Sequence, residues 1–122
     1  RHGGNWSIGT DSHISLNPLE DLRWLDYAQR FTTHRRNTFD DGASVFINKI
    51  LIAGRKAMGN QFQTYFQAGQ PLDAVVYNEH TPLLKQAGAV HALSALLYTA
   101  DSSAILGTMV NGKLIDSYSL NF

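Results

Sequence analysis

The sequence predicts a mixed α/β chain, and three observations carry that prediction. Two stretches, from Asn17 to about Thr33 and from about Asp41 to Gly59, repeat apolar side chains at helical spacing. The run "LDAVVY" at residues 72 to 77 has the length and β-branched content of a buried strand. Finally, Asn111-Gly112 stands between the apolar runs "AILGTMV" and "KLIDSYS", the strongest short-range signal for a two-residue hairpin.

Taken in chain order, "NWSIGT" at residues 5 to 10 reads as a short strand with Trp6 and Ile8 on one side. Asn17-Pro18-Leu19-Glu20 then reads as a helix start. Asn17 can accept from the free N–H groups, Pro18 sits where its missing N–H does no harm, and Glu20 completes a capping box. Leu19, Leu22, Leu25 and Ala28 form the apolar face, widened by Trp24, Tyr27 and Phe31. Asp26 and Arg30 are expected to pair across one turn on the polar side. For the second helix, Asp40 or Asp41 supplies a cap and Gly59 a C-terminal stop. Its inner stripe is expected to be Phe46, Ile50, Ala53 and Ala57, with Ile47, Leu51 and Met58 beside it. A third helix, Leu83 to Thr99, is weakened by Gly88. One feature is out of place: the strand at residues 5 to 10 has no neighbouring strand in sequence. One solution is that it is the last strand of a sheet or barrel whose other strands precede Arg1.

Composition excludes several classes of function. The chain has 122 residues, enough for one modest core, and 43% of them are apolar, as in a globular protein. Ten basic side chains balance ten acidic ones. A nucleic-acid or anionic-membrane binder would need a basic surplus, so neither partner is expected. The only basic cluster, His34-Arg35-Arg36, reads as a solvated helix end. There is no cysteine, hence neither disulfides nor thiolate chemistry. Residues 87 to 100 are interrupted by His91 and Ser94 and are too short to span a bilayer. With no secretory signal visible, a cytoplasmic location is expected.

The chemistry is sparse. If the extended backbone persists past Gly9, Asp11 and His13 share one side and could ligate a metal or move protons. The competing reading is that Asp11-Ser12 is simply a turn or cap. His91 lies in an apolar helical stretch and reads as a packed or interface histidine. "GRKAMG" at residues 54 to 59 is basic and bracketed by glycine, but stands at a helix C-terminus, the wrong end for a phosphate. No Walker loop, nucleophile elbow or H-E-x-x-H pattern is present. These residues alone do not assemble a catalytic site.

A resemblance adds to this reading. Asp11-Ser12-His13, the run Glu20-Asp21-Leu22-Arg23-Trp24-Leu25-Asp26-Tyr27, Gln29-Arg30 and Arg35-Arg36-Asn37 resemble the region around the last barrel strand of the amidohydrolase superfamily. More narrowly, they are similar to formimidoylglutamate deiminases of histidine breakdown. Ala53-Gly54 and Ala57-Met58-Gly59 resemble the following helix, "GQPLDAVVYN" the strand that returns to the small β-sandwich domain, and "ILGTMVNGKLI" its closing hairpin. Leu72 stands where that strand pattern commonly has alanine. The resemblance implies an α/β C-terminal fragment: residues 1–68 would be strand 8 and the helices ending a (β/α)8 metal-dependent hydrolase barrel, and residues 69–122 part of the sandwich. Such a barrel needs about 250 residues, so this chain cannot contain one.

The resemblance also implies roles. Asp11 would be both zinc ligand and catalytic carboxylate, accepting a proton from a metal-activated water. Ser12 and His13 would line the substrate pocket or orient the ligand. The implied reaction converts N-formimino-L-glutamate, a small-molecule substrate, to N-formyl-L-glutamate and ammonia. The remaining metal ligands, an H-x-H pair and two further histidines, would precede Arg1. One carboxylate cannot hold zinc by itself, so the chain alone is expected neither to bind Zn2+ tightly nor to catalyse. Two other readings stay open: an amidohydrolase acting on another substrate, as guanine-type or triazine deaminases and chlorohydrolases do, or a non-catalytic interaction module. Apolar helix faces left uncovered would favour a homo-oligomer.

Overall fold

A computed structural model describes residues 4–9, 11–12, 16–36, 42–60 and 64–116. Its elements are α1 (Pro18–Thr33), α2 (Gly42–Ala57), β1 (Ala74–Tyr77), α3 (Pro82–Thr99), a 3-10 turn (Ser102–Ala104), β2 (Ile105–Val110) and β3 (Lys113–Asp116). The helix ends follow their local chemistry. Asn17 Oδ1 accepts from the Leu19 N–H at 3.0 Å, with Pro18 at the first helical position. Helix α1 stops where His34 turns left-handed at φ 52°, and Arg35 and Arg36 beyond it are exposed. Helix α2 is closed by Gly59 at φ 69°: the Gly59 N–H donates to the Lys56 carbonyl and the Asn60 N–H to the Arg55 carbonyl. That reciprocal pair satisfies two carbonyls the helix would otherwise leave free. The Asp40 and Asp41 caps expected at its start lie outside the described residues.

Helix α3 packs against both α1 and α2. Leu22, Ala43, Ile50 and Leu97 form the centre of the core, with Ile8, Leu25, Ile47 and Tyr98 against it. The buried line of α2 therefore runs Ala43, Ile47, Ile50, Gly54. Leu51, Ala57 and Met58, expected on or beside the inner face, are exposed instead. The Phe46 side chain lies outside the described residues. Helix α3 breaks at Gly88, whose φ 63° and ψ 176° are open only to glycine. Beyond the break, Leu97 is fully buried whereas Val90 and His91 are exposed, so of the two readings of His91, packed or interface, the packed one does not hold within this chain.

The pairing of Asp26 with Arg30 forms, at 2.6 Å, but not on a polar face. Asp26 is only 1% exposed. Four residues on from Leu22, it shares the buried side of α1. Tyr98 of α3 makes this possible by donating its hydroxyl to Asp26 Oδ2 at 2.7 Å, while Arg30 donates to the same hydroxyl at 3.1 Å. The Arg30 guanidinium lies 5.4 Å from the Tyr98 ring centre and 6.0 Å from that of Tyr27. One turn earlier, Arg23 donates from Nε to the Leu97 carbonyl and from Nη2 to the Ala100 carbonyl, both at 2.8 Å. A cation thus meets the negative end of α3 and satisfies two of its last carbonyls.

The strands form one antiparallel sheet in the order β1-β2-β3. Asn111 and Gly112 turn the hairpin with φ 49° and 77°, the two positive values that a type I′ turn requires. The turn is also docked, because the Asn111 N–H donates to Asp73 Oδ1 at 2.7 Å and the Gly112 N–H to the Leu72 carbonyl at 2.8 Å. Register places Ala74, Val76, Ile105, Gly107 and Met109 on one face, all buried or half-buried. Val75, Leu106, Thr108, Val110 and Ile115 lie on the other and are exposed. The run expected to be a buried strand is therefore buried on one side only.

Of the strand expected at residues 5 to 10, the described part, residues 5–9, is not formed. Residues 4–9 have no regular secondary structure, for an isolated strand has no ladder to join.

Three stability outcomes follow. Tyr98→Phe should cost about 1–2 kcal/mol by leaving Asp26 one donor short, and Asp26→Ala more, as read by urea denaturation. Burial, then the bond to Asp26, raises the Tyr98 hydroxyl above its usual range, and burial does the same to Tyr77. The unfolded chain then loses these protons first. Their contribution is complete below about pH 10 and is lost as pH rises through the folded-state values, and Tyr98→Phe should flatten that loss. Gly88→Ala should destabilise by about 1–3 kcal/mol, because alanine cannot take that backbone conformation cheaply; a thermal melt no lower than wild type would contradict this.

Candidate functional site

Asp11 and Ser12 form an exposed turn just after the irregular segment 4–9. Asp11 has φ 42°, a left-handed conformation that aspartate tolerates better than most residues. The extended run therefore ends before Asp11, and the alternation that would set Asp11 and His13 on one side does not hold. His13 lies outside the described residues. The turn reading of Asp11-Ser12 describes the local geometry, and it leaves the carboxylate open to solvent.

The segment leading to this turn is held from below. Ile8 packs on the core around Leu22, Ile50 and Leu97. Asp11 thus projects from the surface three residues after an anchored side chain. Among the described residues, no group of three or more His, Asp or Glu side chains could hold a metal ion. The donor set is one carboxylate where zinc needs three or more protein ligands, so these residues do not by themselves fit a resident metal.

Two other polar places deserve comparison. In the cluster of Asp26, Arg30 and Tyr98 the neighbouring carboxylate holds the guanidinium above its already high range, outweighing its own burial, while the buried Arg30 Nε has no hydrogen-bond partner among the described residues. The cluster joins two helices. A shallow cleft of about 200 Å3 lies between the start of α3 and residues 99–104. Its one ionisable group, Asp101, accepts from both the side chain and the backbone N–H of Ser103, bonds that hold its carboxyl below the usual range. Reading the sequence named Arg23 only within the run that carries the resemblance, and it did not single out Tyr98. The available signal was a lone phenol near the end of a largely apolar helix, with only Ser94 polar between Ala92 and Leu97.

No protein-family model matches the chain. It is similar to a formimidoylglutamate deiminase from Pseudomonas aeruginosa, with 30% identity over 118 residues. That alignment takes in 93% of this chain but 26% of the relative, so the chain spans about a quarter of that protein's length. Among the described residues, no helix is long and apolar enough to cross a membrane.

Because Asp11 is exposed and makes a turn that asparagine also adopts, Asp11→Asn should change stability by less than about 0.5 kcal/mol. Titrating the chain with Zn2+ should give no tight, saturable binding by calorimetry. A stoichiometric site of high affinity would show that residues outside this donor set complete it.

Proposed function

We propose that this chain is part of a hydrolase of the formimidoylglutamate deiminase type, within the amidohydrolase superfamily, and that Asp11 is its contribution to the catalytic site. The observation that carries this reading is the alignment along 93% of the chain with about a quarter of such an enzyme. In this reading residues 1–68 end a hydrolase barrel and residues 69–122 belong to the smaller sheet domain. The open apolar sheet face supports burial against further protein, in a longer polypeptide or an oligomer.

The reaction proposed is hydrolysis of a carbon–nitrogen bond. Water adds to the formimino carbon of N-formimino-L-glutamate, the bond to the terminal nitrogen breaks, and ammonia leaves with N-formyl-L-glutamate as product. An exposed carboxylate on a short anchored segment suits the step this chain could supply, which is to accept a proton from the attacking water and return one to the leaving nitrogen. Ser12 and His13 would stand beside it, toward the substrate. Zinc is implied by the superfamily, but its ligands are not present here as a set, and the proton role assigned to Asp11 does not depend on naming them.

The test is ammonia release from N-formimino-L-glutamate by the native gene product. Asp11→Asn should lower kcat by roughly 10²–10⁴-fold with little change in stability. Turnover of guanine or a chlorinated triazine instead would move the chain to another branch of the superfamily. No turnover of any of these would sink the enzymatic reading.

A further inference from the structure

Glycine is, after proline, the poorest helix former, so a glycine inside a helix asks for a local reason. Gly54 lies three residues before the end of α2, on the same line as Ala43, Ile47 and Ile50. A Cβ placed on Gly54 would lie 3.6 Å from the Cβ of Ser7. The N-terminal segment thus crosses α2 where the helix has no side chain, and the next residue, Ile8, enters the core beside Leu22, Ile50 and Leu97. Residues 4–9 belong to no helix or strand. Side-chain contacts such as these therefore matter more for their placement than in a paired strand, and the Asp11 turn follows at once.

We propose that Gly54 is a positioning residue: the bare stretch of α2 that it provides is the seat for Ser7, and this seat sets where the Asp11 turn stands. The functional meaning of that placement rests on the reading of Asp11 given above, whereas the seat itself does not. Van der Waals distance at 3.6 Å leaves room for one methyl group. The two further carbons of a valine would meet the segment unless it moved. Both alanine and valine form helix better than glycine, so propensity predicts that neither weakens α2. Any loosening of the segment must then come from lost space.

The test is amide hydrogen exchange on the 122-residue chain, with the Asp11 amide chemical shift as the signature of the turn. Gly54→Ala should keep both as in wild type. Gly54→Val should speed exchange over residues 5–9 roughly tenfold or more, and move the Asp11 shift toward its unfolded value, while α1 and α3 keep their protection. Adding Ser7→Gly to Gly54→Val should restore segment and turn by returning the space. If Gly54→Val does not fold, Ser7→Gly should restore folding. Wild-type exchange in Gly54→Val, loss of the Asp11 signature in Gly54→Ala, or no rescue by Ser7→Gly would each overturn the seat. A confirmed seat with full deiminase activity in Asp11→Asn would instead refute the role given to Asp11.

Discussion

The carboxylate of Asp26 constrains the arrangement of the helices, because a buried anion must find donors before the apolar contacts around it can form. Its own helix supplies Arg30, one turn away, and α3 supplies the Tyr98 hydroxyl. Meeting both partners fixes the rotation of α1 and the placement of the last turns of α3. Arg23 reinforces the same alignment by reaching the carbonyls of Leu97 and Ala100. Leu97, whose carbonyl accepts from Arg23, is fully buried beside Leu22, Ala43 and Ile50. Packing and polar satisfaction therefore specify one docking geometry together, where apolar contacts alone would tolerate several.

That docking has consequences at both ends of the chain. Toward the N-terminus, the core formed by α1, α2 and α3 offers a place for Ile8, and this anchors a segment that no sheet receives. Toward the C-terminus, α3 leads through the Ser102–Ala104 turn into β2. There the Asn78 N–H donates to the Ala104 carbonyl at 2.8 Å and ties the strands to the helical end. The sheet covers Ala74, Val76, Ile105, Gly107 and Met109 on one face, where Leu114 of β3 stays exposed, and leaves Val75, Leu106, Val110 and Ile115 on the other. Strands apolar on both faces suit a sheet covered on both sides. The chemistry of the chain is similarly open: a single exposed carboxylate at a turn gains meaning only beside other groups. Surface and site thus support the same reading, in which this chain works within a larger protein body.

Much of the local structure was legible. Asn17-Pro18, Gly59 and Asn111-Gly112 act through backbone rules that extend only a few residues, so a helix start, a helix stop and a hairpin turn could each be read directly, whereas Gly88 was legible only as a weak point in a helix that in fact breaks there. The basic cluster after α1 was likewise legible as an exposed end. Less legible were the faces. Leu51, Ala57 and Met58 fit a helical stripe as well as Ala43 and Ile47 do, and only the position of α3 decides which of them is covered.

By itself the sequence determined where helices and turns form and that Asp11 follows a short apolar run. Tertiary structure decided three things that depend on distant residues: that Asp26 is buried, that residues 4–9 lie irregularly over α2 instead of pairing, and that Asp11 sits in an exposed turn. The physical reason is range. Caps, glycine torsions and hairpin turns are settled by neighbours along the chain, whereas a buried charge depends on a hydroxyl 72 residues away, and a strand depends on partners that must come from elsewhere.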